Sequence, residues 1–460
     1  MSKLENRNSP SFHLLRYSNF WRYWFISDRF NRFSRVVATT AIGVLFSSFS
    51  HGAGFALEDG SVRGNVTPGQ LTARGEVPSS LYFNPATITD LPGTQVEIGI
   101  TAIKPFADVT TTNPYTGKTE RGYATSSVWM LPNLYFTSQW TGSLWFGFGV
   151  YTRYGLGSEF KSTWAGRYNS TKAEILSLDF NPNLAWKVTD RLSLSIGFSI
   201  RYFDIELEQM LDAAGIAGLR RYNDPCYSPY DVRQNLHGDD IAPVLDLGLA
   251  YKLTDALTVG FGYHSQAKLT AKGDAKWTVP PAVRALAPYY FQDTGFHASN
   301  FNPDKLMAGL AWDATERLTL SAGVTCTLWH TYDTLIIHLD DPMLPGRSTL
   351  MSEKSWHDAW RFNIGAEYAF TENWSVRIGY TYDESPINSG HVDYFVPGDN
   401  RHLFAAGVSW DKDSWTFDLS CFYEVVDDFD VKARPANGVY TGKFTDASGY
   451  SCAFSVVKRF

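Results

Sequence analysis

The sequence predicts an all-β fold: a 14-stranded antiparallel transmembrane β-barrel with an N-terminal plug, or hatch, in its lumen. Three observations predict it: period-two alternation sustained over ten or more residues, short polar turns that alternate with long loops, and a composition low in charge yet rich in aromatic residues. The 460-residue chain is 44% hydrophobic, 15% aromatic and 19% charged, against about 25% charge in an average globular protein. A mean hydropathy of −0.21 excludes both a helical membrane protein and a disordered chain. A net charge of −7 argues against a nucleic-acid partner, and four cysteines argue against a disulfide scaffold.

Residues 1–52 read as a secretory leader. Lys3, Arg7, Arg16, Arg22, Arg29, Arg32 and Arg35 face only Glu5 and Asp28, the apolar run Val36–Phe46 follows, and Ser50 and Gly52 suit cleavage before Ala53. An uncleaved anchor is the alternative, but the run falls short of the roughly 20 residues that span a bilayer. The aromatic cluster Phe20–Phe25 has no place in a standard leader, which an over-long start explains. Residues 53–94 do not alternate and are rich in Gly, Pro and polar residues. A segment of that size is too short to fold alone, so packing inside the barrel is expected of it.

Residues 95–460 supply the barrel. In Arg191–Tyr202, Leu192, Leu194, Ile196, Phe198, Ile200 and Tyr202 share one face and Ser193, Ser195, Gly197, Ser199 and Arg201 the other; Glu316–Leu328 and Trp374–Tyr382 repeat the pattern. Such strands are longer than the ~5–6 residues usual in soluble sheets, which disfavours a soluble all-β sandwich. Short turns fall at Thr141-Gly142, Thr189-Asp190, Thr254-Asp255, Ala314-Thr315, Thr371-Glu372 and Asp411-Lys412. Long loops fall at about 105–126, 154–173, 206–240, 269–302, 331–355, 386–399 and 428–446. An even strand count with short turns on one side and long loops on the other is the pattern of outer-membrane barrels of Gram-negative bacteria. Trp140, Trp186, Trp312, Trp374, Trp410 and Trp415 suit interfacial girdles. The last strand ends on Phe460, with Lys458 tolerable only near water.

Inward positions carry Arg153, Asp179, Lys187, Arg201, Asp246, Lys252, Arg361, Glu367, Arg377, Asp383, Asp418 and Glu424, consistent with a solvated interior or with pairing to a plug. Leu207, Met210, Leu211, Ala214, Ile216 and Leu219 space like one face of a short helix. With Trp277, Tyr289 and Phe291 they place apolar groups in loops that face water, so either the loops pack on one another or they form an apolar groove. No catalytic motif, metal-ligand spacing or cofactor loop is present in the sequence; neighbouring His264 and Ser265 point to opposite faces of one strand. Cys226 stands in a loop. Cys421 and Cys452 share outward parity on consecutive strands and read as lipid-facing thiols, with a cross-strand disulfide as the alternative.

Ala53-Gly54-Phe55, Asn84-Pro85-Ala86, Tyr154-Gly155-Leu156-Gly157-Ser158-Glu159-Phe160, Trp356–Arg361 and Tyr382–Pro386 together resemble the FadL family of outer-membrane long-chain fatty-acid transporters, including its aromatic-hydrocarbon branch. The resemblance covers nearly all of residues 53–460. It implies a monomeric 14-stranded barrel closed by an N-terminal hatch, loop capture of a hydrophobic ligand, and sideways exit at a kink in the third strand, where Gly155 follows Tyr154. It further implies that Asn84 contacts Asp383, that Gly248 leaves room for the hatch beside Pro85 and Ala86, and that Phe55 reaches towards the pocket. The basic residues that hold a carboxylate in fatty-acid members fall here at Gln209 and Ser352, with Lys354, Arg220 and Arg221 nearby. The expected function is passive uptake of long-chain fatty acids or related hydrophobic molecules, with aromatic hydrocarbons as a close second. A porin-like channel for polar solutes and a barrel-embedded lipase are the remaining readings.

Overall fold

A computed structural model describes residues 54–113, 117–123, 128–216 and 229–460. The leader, Arg220, Arg221, Leu219 and Cys226 lie outside the described residues. Within them, 21 strand segments run end to end as fourteen antiparallel strands, each hydrogen-bonded to its neighbours in chain order. The first strand (Thr94–Thr112) pairs with the last (Gly442–Arg459) from Gln95↔Arg459 to Thr111↔Gly442, which closes the ring. Closure leaves neither the first nor the last strand with an open edge, the condition for a sheet to survive in hydrocarbon.

Alternation sets which face each residue takes. On the fifth strand (Leu192–Asp212), Ile196, Phe198 and Ile200 are exposed towards lipid while Ser193, Ser199 and Arg201 are buried inside. The short turns recur with one chemistry. Thr141, Thr189, Thr315 and Thr371 each accept backbone N–H groups two and three residues on, at 3.0–3.3 Å. The hydroxyl replaces a backbone acceptor in the turn. The sixth turn lies at Asp413–Ser414, between Arg401–Lys412 and Trp415–Val426, two residues beyond its expected place.

The long loops are shorter than expected, because strands continue past the membrane. The sixth strand (Asp231–Lys252) has 22 residues, about twice what a tilted crossing needs. The short-helix reading of 207–219 is overturned in its first half: Leu207, Met210 and Leu211 belong to the fifth strand, and among the described residues of that stretch Ala213–Ile216 alone is helical. The cysteine expectation is corrected too. Cys421 and Cys452 face each other across the last two strands, with Cα atoms 4.2 Å apart, and are joined as a disulfide on the outward face. Lys458 sits at the rim, its ammonium 4.5 Å over the Trp415 ring.

Residues 54–93 pack against inner faces around the ring. Three short helical turns each begin with proline, whose fixed φ and missing N–H suit a first helical position. Pro68–Ala73 touches strands seven to ten, Pro78–Tyr82 touches strands one to three, and Pro85–Asp90 touches strands three to six. Polar side chains tie the segment to the wall: Arg63 to Asp418 (2.9 Å), Arg74 to Asp313 (2.7 Å) and Gln70 to Glu367 (2.7 Å).

Candidate functional site

Three interrupted strands converge on one side chain of the N-terminal segment. Phe55 is fully buried. Its ring lies 4.8 Å from Trp329, 5.5 Å from Tyr332 and 5.9 Å from both Tyr154 and Trp356, with Trp329 and Tyr332 edge-on, an arrangement aromatic rings favour. Tyr154 sits where the third strand breaks between Leu144–Tyr151 and Gly155–Glu159. Trp329 and Tyr332 sit between Leu318–Thr327 and Thr334–Leu339, and Trp356 between Thr349–Glu353 and Ala359–Ala369. A residue outside the ladder escapes period-two alternation, so each break turns a ring inward that a regular strand would not.

On its outer side the cage is continuous with an apolar cluster that includes Trp277, Phe291, Leu335, Ile337, Leu339 and Met343. Of the predicted ligand residues, Trp277 and Phe291 lie in it, 5.6 Å apart, and Leu207 and Leu211 pack against it. Met210 and Tyr289 do not. Alternation along a strand turns Met210 away from Leu207 and Leu211, and Tyr289 is 87% exposed. Lys354 is buried and its ammonium is bound to the Asp393 carboxylate. Burial pushes Asp393 up, but the Lys354 charge outweighs it and holds the carboxyl below its ordinary value. Lys354 is thus neutralised within the protein and does not stand free beside the cluster.

Below the cage the wall has a seam. The second strand (Thr119–Tyr123 and Trp129–Gln139) pairs with the third only from Leu134 to Gln139. Among the described residues, no ladder bond joins Trp129–Asn133 to Gly155–Glu159. The edge of the third strand is taken instead by the N-terminal segment. Leu57 N donates to Arg153 O (2.8 Å), Gly155 N donates to Phe55 O (3.0 Å), and Ala56 bridges Tyr154. Leu57 packs with Ile103, Trp129 and Leu131, an apolar patch on faces that elsewhere are polar. A side chain at Gly155 would place its Cβ 2.7 Å from Leu57 Cδ1, so a larger residue here would push the Leu57 tip out of its present position.

Asn84 caps the turn Pro85–Asp90 by accepting Ala86 N (3.1 Å), and donates to Thr72 O (2.8 Å) and Leu249 O (2.9 Å). The expected contact with Asp383 is not made. Asp383 lies between Arg361 (2.8 Å) and Arg401 across three neighbouring strands, while Asn84 is fixed to the sixth. Opposite Asn84, a Cβ on Gly248 would collide with the Asn84 carboxamide oxygen and come within 2.8 Å of Ala86 N. A cavity of about 20 Å³, room for about one water, lies among Glu58, Asp59, Arg361, Arg401 and Glu424. Burial drives the Asp59 carboxyl up to about 6 against the pull of Arg361 and Arg401. Burial acts on Glu76 as well, but Arg74 and Arg63 outweigh it and hold Glu76 down to about 2.

A family model described as outer membrane protein transport protein (OMPP1/FadL/TodX) matches residues 43–460. The chain belongs to that family. It is therefore an outer-membrane protein of the hydrophobic-compound transporters. A long-chain fatty acid transport protein of Escherichia coli O6:H1 is 22% identical, over 80% of this chain and 85% of its own length. A putative outer membrane protein of Neisseria meningitidis is 24% identical with the same coverage. Among solved structures, a Pseudomonas aeruginosa FadL homologue superposes with a TM-score of 0.77 at 19% identity, covering 88% of this chain and all of its own. The toluene transporter TodX of P. putida gives 0.66 at 17%, covering 89% and 99%.

Within this family chain, sequence reasoning missed Trp329, Tyr332, Trp356 and Leu57 as parts of the site. The available signal was loss of alternation after Leu328 with aromatics still arriving, at Trp329, Tyr332 and Trp356. His264 and Ser265 part as expected: the imidazole meets Asp246, and the Ser265 hydroxyl accepts Leu245 N (2.9 Å).

Proposed function

We propose that the chain lets apolar small molecules cross the outer membrane passively. Cargo enters the outer cluster, displaces Phe55 from its cage, and leaves sideways into the bilayer once the Phe55–Leu57 strand withdraws from the seam. One observation carries this reading: a single tripeptide occupies both the cage, through Phe55, and the seam, through Leu57. Asn84, Pro85, Ala86 and Gly248 seat the hatch, and the Arg361–Asp383–Arg401 chain borders its charged side. Tyr154 and Gly155 form the edge that the tripeptide leaves.

An uncharged cargo fits best, because Lys354 is already held by Asp393 and the nearby Gln209 is bound to Gln234 at 2.7 Å. A long-chain fatty acid is the second reading, favoured by the names of several relatives. The porin reading fits poorly with a segment whose side chains are buried around the ring. A reversible cross-link tests the mechanism. Ala56→Cys with Tyr154→Cys, in a background of Cys226→Ser and Cys326→Ser, should abolish uptake of toluene and oleate when oxidised and restore it on reduction. Equal uptake in the oxidised and reduced forms would refute withdrawal of the strand.

A further inference from the structure

An indole N–H is a donor only, and a buried one normally finds an acceptor. Trp145 Nε1 donates to Leu91 O and Trp164 Nε1 to Ser170 O, both at 2.8 Å. Trp277, Trp329 and Trp129 bury theirs with no acceptor among the described residues. These three are ordered along one path. Trp277 lies in the outer cluster beside Phe291, Trp329 lies against Phe55, and Trp129 lies with Leu57 in the seam. Burying a donor without a partner opposes folding, and nothing in barrel architecture asks for that cost three times in its apolar clusters. Trp329 is the most enclosed: its side chain has no exposed surface, and the rings of Phe55, Tyr154 and Trp356 surround it.

We propose that Trp329 Nε1 is a specificity determinant, donating a hydrogen bond to a neutral acceptor oxygen on an otherwise apolar cargo: an aldehyde, ketone, ester or ether of hydrocarbon character. Trp277 and Trp129 offer the same donor before and after it. This deepens the uptake reading and rests on it. A plain hydrocarbon leaves the donor unpaired. A carboxylate carries a full charge into a cluster whose neighbouring cation, Lys354, lies 5.8 Å over the Phe395 ring and already serves Asp393.

The test is binding of the near-isosteric pair acetophenone and ethylbenzene to the purified full chain and to Trp329→Phe, which keeps an aromatic ring and loses the donor. Wild-type protein should prefer acetophenone. In the variant that preference should fall about 5- to 10-fold, the loss of one neutral hydrogen bond, on top of any change the smaller ring makes equally to both ligands. The carbonyl stretch of bound acetophenone should lie at lower frequency in wild-type protein than in the variant. Equal loss for both ligands, or no loss for either, overturns the donor role while leaving uptake standing. Binding of neither ligand to wild-type protein overturns the uptake reading and this one together. Should the variant fail to fold, the wild-type preference decides alone, and a preference for ethylbenzene refutes the proposal.

Discussion

Leu57→Ala isolates the seam from the cage. Leu57 is almost wholly buried against Ile103, Trp129 and Leu131. The substitution keeps the Leu57 N–Arg153 O bond of 2.8 Å and leaves the four rings around Phe55 untouched. Removing a buried leucine side chain typically costs about 2–5 kcal/mol. The seam borders a strand edge that can relax, so the lower part of that range, about 2–3 kcal/mol, applies here. That loss falls on the docked strand alone and raises the equilibrium for its withdrawal about 30- to 160-fold, at about 1.36 kcal/mol per tenfold. The assay is uptake of a radiolabelled apolar solute into proteoliposomes at limiting concentration. Barrel integrity is read from heat-modifiable gel mobility. A several-fold faster uptake by a folded variant is expected. Unchanged or slower uptake by a folded variant would show that Leu57 does not close the exit, and the lateral route would fall with it.

Gly248→Val should undock the hatch, because its Cβ collides with the Asn84 oxygen; overpacking of about 1–3 kcal/mol predicts frequent steady openings in planar bilayers where wild-type protein is quiet. Asp59 gives the pH dependence. Its carboxyl is driven up to about 6 in the docked segment from an ordinary 3.8, so the docked state binds the extra proton between those values. Docking therefore weakens as pH rises through about 4 to 6 and is flat above; openings should be rarer at pH 4.5 than at pH 7.5, and Asp59→Asn should flatten the profile. For the last hairpin, peptide mapping without reduction should recover Cys421 linked to Cys452, and replacing both by alanine should lower resistance to unfolding by about 2–4 kcal/mol.

The wall was legible because period two is imposed on every crossing strand by lipid on one side and polar lumen on the other. Loop lengths were not, because above the membrane both faces meet water and the contrast that marks a strand disappears, as in Asp231–Asp240. The helical reading of 207–219 failed in its first half for a related reason. Leu207 and Leu211 stand four apart, a spacing that places two residues on one face of a helix and equally of a strand. The cage was illegible because Tyr154, Trp329, Tyr332 and Trp356 sit where alternation stops and come from three distant breaks. The cysteine pair needed register: shared parity made it conceivable, and only the 4.2 Å Cα separation distinguishes directly facing residues from diagonal ones. Asn84 and Asp383 show the limit of resemblance, since each finds partners on its own side of the lumen.

One tripeptide in two sites also makes cage and seam thermodynamically reciprocal. Cargo that fills the space of the Phe55 ring excludes the docked strand, so docking competes with binding. Whatever weakens docking must then tighten apparent binding, by a factor no greater than the shift in docking itself. Leu57→Ala touches no residue of the cage, yet it should lower the apparent dissociation constant for an apolar ligand by up to the same 30- to 160-fold estimated above. The full factor emerges only where the docked form dominates without ligand, and a smaller one measures how far it does not. Equilibrium binding of ethylbenzene or acetophenone to Leu57→Ala and wild-type protein decides the point. Faster uptake with unchanged affinity would mean that Phe55 and Leu57 move independently, and that the shared backbone from Phe55 O to Leu57 N does not transmit occupancy of the cage to the wall.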